Sequence, residues 1–134
     1  MTRYLLDTNA FSHAIKGTLS SFSDRFAVVH LDDVAISVIT EAELLFGLAR
    51  RPLAHELARA VHELLRRITI LPWTSNAAKH YADLRFALEA KGQPMGAMNM
   101  MIAAHALAED AVLVTNDAAF RRIELIKLED WTRH

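Results

Sequence analysis

Three acids, far apart in the chain, each stand just beyond an apolar run, and a fourth such place holds an amide. Asp7 follows Tyr4-Leu5-Leu6, and Glu43 lies a few residues past the run from Val34 to Ile39. Asp117 follows Val112-Leu113-Val114-Thr115-Asn116, and Asn99 opens the apolar stretch Met100-Met101-Ile102-Ala103-Ala104. In a parallel α/β sheet the carboxyl ends of the strands share one edge, and ligands bind there. Acids that follow separate strands converge on that edge. Carboxylates gathered without basic partners repel one another and raise their own pKa values. A hard divalent cation such as Mg²⁺ or Mn²⁺ prefers oxygen ligands and relieves that repulsion. Singly, each acid has an ordinary role. Asp7 reads as a helix cap or turn acid, Glu43 as a capping-box partner, and Asp117 as the cap of a short helix from Ala118 to Arg122. Their shared edge is what points to a site.

The elements that must position these residues alternate. Residues 3–6 read as a buried strand, and Thr8 or Asn9 caps a helix to Lys16 that Gly17 ends. Residues 34–37 are a second strand. Thr40 then caps a helix to Arg50, with Glu43 three residues on. Pro52 starts a further helix with Leu53, Leu57, Val61, Leu64 and Leu65 at helical spacing. Residues 68–71 are a third strand. Residues 75–91 form a helix with Ala78, Tyr81, Leu84 and Leu88 on its apolar stripe, ended by Gly92. Residues 97–109 are a helix that is apolar nearly all round and so belongs in the interior. Residues 112–115 and, more weakly, 125–128 complete the strands. Such alternation implies an α/β fold with a mostly parallel twisted sheet of four to five strands, flanked by helices.

The 134 residues suffice for one domain and one core. Hydrophobic residues make up 52%, enough burial to offset the entropy of ordering the chain. No apolar run reaches the ~18 residues of a membrane span, and the first residues are too short an apolar stretch for a signal peptide. The absence of cysteine excludes disulfides, thiol catalysis and thiolate-bound zinc, and fits a reducing cytoplasm. A net charge of −1 argues against coating nucleic acid by bulk charge. The pairs Arg50-Arg51, Arg66-Arg67 and Arg121-Arg122 are either solvated helix ends or local phosphate contacts. Of the seven histidines, His105 reads as structural, and His30, His55, His62 and His80 as surface residues.

Four segments together resemble the motifs of PIN-domain nucleases. Leu6-Asp7-Thr8-Asn9 resembles the first, and the run from Ser37 to Leu44, with Gly47, resembles the second. The glutamate of Ala42-Glu43-Leu44 is the acidic ligand that this match selects over Glu41. Lys91-Gly92-Gln93-Pro94-Met95-Gly96, then position 99, then Ile102-Ala103-Ala104-His105-Ala106, resembles the third. Val114-Thr115-Asn116-Asp117 with Phe120 resembles the fourth, and Leu128-Glu129-Asp130-Trp131 is typical of the toxin branch. The resemblance spans the whole chain, 1–134, as a single PIN domain of the VapC toxin type. It implies a divalent-metal-dependent endoribonuclease with Asp7, Glu43, position 99 and Asp117 as metal and catalytic ligands. It implies Mg²⁺ or Mn²⁺ as cofactor and structured RNA, including transfer RNA loops, as substrate. It also implies a cytoplasmic homodimer bound to a VapB-type antitoxin, which alone contacts operator DNA. Metal ions in such a site activate water and stabilise charge on the phosphorus.

Position 99 departs from the pattern, since the family places Asp there and this chain has Asn. Asn keeps the size and one carbonyl oxygen but loses the charge and the basicity. Drift in a weakened toxin, tolerance by the remaining acids, or a deliberate isosteric change each accounts for it. The last is favoured here, because every other motif residue is intact. The chain is therefore expected to be catalytically impaired. The alternative is a non-catalytic PIN-fold module that acts with its antitoxin on operator DNA. An aspartyl-nucleophile phosphatase is disfavoured, because position 9 is Asn where a second Asp is needed.

Overall fold

The computed structural model describes residues 2–133. Strand β1 (Tyr4–Leu6) leads through Asp7 into helix α1 (Thr8–Lys16), and α2 (Ser20–Val28) follows. A 3₁₀ turn at Leu31–Asp33 feeds β2 (Val34–Ser37), then α3 (Val38–Ala49) and α4 (His55–Arg67). Next come β3 (Thr69–Leu71), α5 (Ser75–Ala90) and α6 (Ala97–Ala108). Strand β4 (Val112–Val114), a 3₁₀ turn at Ala118–Arg122 and β5 (Lys127–Glu129) close the chain. The five strands pair in parallel in the order β3-β2-β1-β4-β5. This is the expected α/β architecture.

The side-chain alternation of the strands builds two cores. Leu5, Ala35, Leu71 and Leu113 face α5 and α6, where they meet Met100, Ile102 and Leu88. Leu6, Val34, Ile36 and Val114 face the other way, toward Phe11, Phe22 and Val61. The sheet is thus buried on both faces, which is why its strands read as continuous apolar runs. The chain grows outward from β1 to β3, then crosses to β4 on the other side of β1. The order reverses at β1 and β4, and a crevice for ligands opens at such a reversal.

Several local expectations are corrected. Helix α2 has no counterpart in the sequence reading: its N-terminal residue, Leu19, offers no capping side chain, and only Phe22 is fully buried. Packing of Phe22 against Trp131, ring centroids 5.5 Å apart, supplies what local signals lack. Helix α3 is capped by Ser37, whose Oγ accepts from the Ile39 N–H at 3.0 Å, and not by Thr40, which is buried inside the helix. Helix α4 begins at His55, not at Pro52, and Leu53 is 85% exposed in the preceding turn. On α5 the buried stripe runs through Ala77, not Ala78, because 77, 81, 84 and 88 keep one helical face. Asp7 itself, not Thr8 or Asn9, caps α1. The last strand starts at Lys127, since Leu125 has φ +66° and is exposed.

Candidate metal centre

Asp7 and Asp117 leave the sheet from the neighbouring strands β1 and β4, where Leu6 pairs with Val114. The Asp7 N–H continues that ladder to the Val114 carbonyl at 3.1 Å. Asp7 Oδ1 accepts the Ala10 N–H at 2.8 Å, which makes this acid the N-cap of α1. Asp117 Oδ1 accepts the Ala119 N–H at 2.9 Å and caps the 3₁₀ turn. Thr115 stands between the two acids. Its Oγ1 accepts the Asp117 N–H at 3.0 Å, and its side chain is also a hydrogen-bond partner of the Asp7 carboxylate.

Glu43 reaches the same edge from α3. The capping-box reading of this residue fails, because Ser37 is the cap and Glu43 lies well past the first turn. Its Oε1 instead accepts the Thr8 hydroxyl at 2.6 Å, next in sequence to Asp7. The carboxylate also borders a groove of about 260 Å³ between α1, α3 and α4. Asn99 sits half-buried in the first turn of α6, a helix that packs against α3. No hydrogen bond ties its amide to the three acids among the described residues.

Burial pushes the Asp7 carboxyl above the usual aspartate range. Hydrogen bonds from Thr115 and Ala10 oppose the shift, the charge of Asp117 adds to it, and His13 weakly offsets it. Asp7 is only 5% exposed. Among the described residues, Asp7, Glu43 and Asp117 take part in no ion pair with Lys or Arg. An all-oxygen donor set lacking a cationic partner fits a hard cation. Yet among the described residues no three carboxylates or imidazoles gather closely enough to enclose a metal by themselves. The fit is therefore to an ion that keeps several waters and takes only one or two direct carboxylates, the habit of Mg²⁺.

Residue types alone gave no sign of what three hydroxyl residues do around the acids. Thr8 holds Glu43 and Thr115 links Asp7 to Asp117, and each threonine lies within two residues of an acid in its own motif. Ser37 is the third. While it caps α3, its Oγ lies 2.7 Å from Nδ1 of buried His105. That contact pins α6 to the start of α3 beneath the site. Burial lowers the His105 pKa, with Glu109 and the Pro72 carbonyl opposing, which favours the neutral imidazole. The structural reading of His105 agrees with this placement. Ser37→Ala removes a cap and strands a buried ring nitrogen, an expected loss of about 1–3 kcal/mol. The midpoint of urea unfolding, compared with the parent chain, checks it.

The PIN domain family model matches residues 4–125. The chain is 38% identical over 133 residues to the tRNA(fMet)-specific endonuclease VapC of Salmonella typhimurium, covering 98% of this chain and 99% of that one. It is 33% identical to Ribonuclease VapC2 of Rickettsia felis, covering 97% and 98%. Its fold matches that of DNA-bound VapBC from Salmonella typhimurium with a TM-score of 0.89 at 33% identity, over 98% and 99% of the two chains. It matches VapBC2 from Rickettsia felis, bound to a DNA fragment from their promoter, with a TM-score of 0.88 at 32% identity, over 96% and 98%. The chain belongs to the PIN-domain family, in its VapC ribonuclease branch.

Proposed function

We propose that this chain is the toxin of a VapBC toxin–antitoxin pair, a single PIN domain over 1–134 built to hydrolyse phosphodiester bonds in structured RNA with a divalent cation. The observation that carries the reading is the acidic edge. Asp7, Glu43 and Asp117 leave three different elements, with Thr8 hydrogen-bonded to Glu43 and Thr115 to the Asp117 N–H, and among the described residues they form no ion pair with Lys or Arg. Asp7, Glu43 and Asp117, with the Asn99 amide oxygen, would hold Mg²⁺ or Mn²⁺, partly through water. The bound ion would supply an activated water and charge stabilisation at phosphorus. The residues themselves bind and orient. Thr8 fixes the Glu43 carboxylate, and Thr115 fixes the backbone at Asp117 beside the Asp7 carboxylate.

A relative named as a tRNA(fMet)-specific endonuclease supports transfer RNA as the substrate class. The VapBC complexes among the structural neighbours support a VapB-type antitoxin partner, and the DNA-bound ones support operator contact made through it. The protein acts in the cytoplasm as a homodimer within that hetero-oligomer. Asn99 removes one charge from the site and leaves the chain impaired. Cleavage of a transfer RNA by the Asn99→Asp version in Mg²⁺ or Mn²⁺ tests the proposal. Cleavage that EDTA stops is expected. No cleavage of any structured RNA by that version would favour the second reading, a non-catalytic module in an operator complex, for which Asn99 is the motivating residue.

A further inference from the structure

The groove that starts at Glu43 has features that holding the metal does not require. It runs between α1, α3 and α4, with Leu48, Leu57 and Val61 on its apolar floor and Lys16, Arg50 and Arg51 among its other lining residues. Eight of the fifteen lysines and arginines form ion pairs among the described residues. Lys16, Arg50 and Arg51 are not among those eight, so three uncompensated cations line one groove. Gly47 lies in the interior of α3, where glycine is a poor choice for helix stability. A Cβ there would meet no atom within 4 Å, so packing does not demand the glycine. Its missing side chain instead widens the groove. Beside it, Phe46 is 62% exposed with the Arg50 guanidinium 4.9 Å from its ring centroid. Glu43, Phe46 and Arg50 stand at helical positions i, i+3 and i+7 and so share one face of α3.

An apolar floor, an exposed aromatic ring carrying a guanidinium, and two further cations, Lys16 and Arg51, together suit one chemistry, an unpaired nucleotide. The base has an apolar face that stacks on aromatic and guanidinium planes, and its phosphates are anionic. We propose that this groove is a nucleotide subsite that holds an unpaired residue of the RNA next to the acidic edge. The base lies over Gly47 and the Phe46–Arg50 stack, and flanking phosphates meet Lys16 and Arg51. This deepens the nuclease reading and rests on it. The exposed Phe46 ring beside three basic side chains favours RNA over a basic or purely apolar protein segment as its occupant. The subsite also explains how a chain of net charge −1 can hold RNA: the cations need only be local.

The test uses the chain as it stands, because Asn99 allows binding to be measured without cleavage. A fluorescein-labelled RNA hairpin with an unpaired loop is titrated by anisotropy, with a blunt RNA duplex as control. Gly47→Leu fills the groove and should weaken hairpin binding about tenfold or more, the worth of one stacked base. Its melting temperature should equal or exceed that of the parent, since leucine favours the helix. Arg51→Gln, on the surface, should lower the salt slope of hairpin binding by about 0.7, the share of one single-strand phosphate. Duplex binding should respond to neither change. Hairpin binding that survives both changes at parent affinity and salt slope overturns the subsite and leaves the groove to a protein segment. Cleavage by Asn99→Asp separates the two ideas. If that version cuts RNA while the groove variants bind as the parent does, the subsite is wrong and the nuclease reading stands. If the groove variants lose hairpin binding while no version cuts, the subsite stands and the nuclease reading falls.

Discussion

Asn99→Asp is expected to raise the rate of RNA cleavage by about 10²–10³. Electrostatic stabilisation acts where charge develops in the transition state, and one such group is commonly worth about 3–4 kcal/mol. Asn and Asp are nearly isosteric, so the change alters charge and basicity while the first turn of α6 stays in place. The same change should tighten Mn²⁺ binding, read by calorimetric titration, because a fourth carboxylate joins Asp7, Glu43 and Asp117. Fold stability should not rise with it, since the added charge faces three acids. Expression of the Asp version without an antitoxin should arrest growth, and the Asn99 chain should be tolerated. Equal cleavage rates for the two versions would remove position 99 from the site. Equal Mn²⁺ affinity would remove it from the ligand shell.

Asp7→Asn is expected to move activity and stability in opposite directions. Made in the Asn99→Asp version, it should cost about 10²–10³ in cleavage rate by the same argument. Made in the chain as it stands, it should raise the melting temperature at neutral pH. Burial and the charge of Asp117 raise the folded-state pKa of Asp7 above its unfolded value. A group raised in this way favours the folded state when protonated. Its contribution is fully present below the unfolded value near 3.8 and is lost as pH rises through the raised one. At neutral pH the ionised carboxylate therefore opposes folding, and the neutral amide does not. Asn also retains the cap on Ala10, because it is as good an N-cap as Asp. The gain in melting temperature should shrink as pH falls and vanish below about 3.8. A gain that is constant across pH would mean that the charge of Asp7 is not its source. A residue retained at a cost to stability is what a functional site predicts.

The positions of Asp7 and Asp117 just past β1 and β4 were legible because each is a local pattern. An apolar run followed by an acid reads as a strand end, and the periods of the runs separate strands from helices. Asp117 as the cap of a short turn, Gly17 as the end of α1 and the buried course of α6 follow from the same local chemistry. Elements whose stability comes from partners distant in sequence were not legible. Helix α2 is held by Phe22 against Trp131 at the far end of the chain, so its own residues carry little signal. The cap of α3 was misplaced for a related reason. Ser37 and Thr40 both suit the role by type, and the register of β2 against β1 and β3 decides between them.

The sequence alone determined the fold class, because strand and helix alternation rests on residue type and short-range period, while the resemblance to the PIN-domain motifs singled out Glu43 over Glu41. Tertiary structure decided what surrounds each acid. It made Asp7 both a helix cap and a buried charge, and it freed Glu43 from capping by starting α3 at Ser37. It set the Thr8 hydroxyl against Glu43 across 35 positions of chain, and the His105 ring against Ser37 across 68. It also gathered Lys16 of α1 with Arg50 and Arg51 beyond α3 around one groove. Proton affinity, positioning and local charge depend on distances through space, and the sheet order that sets those distances is not written in any one segment.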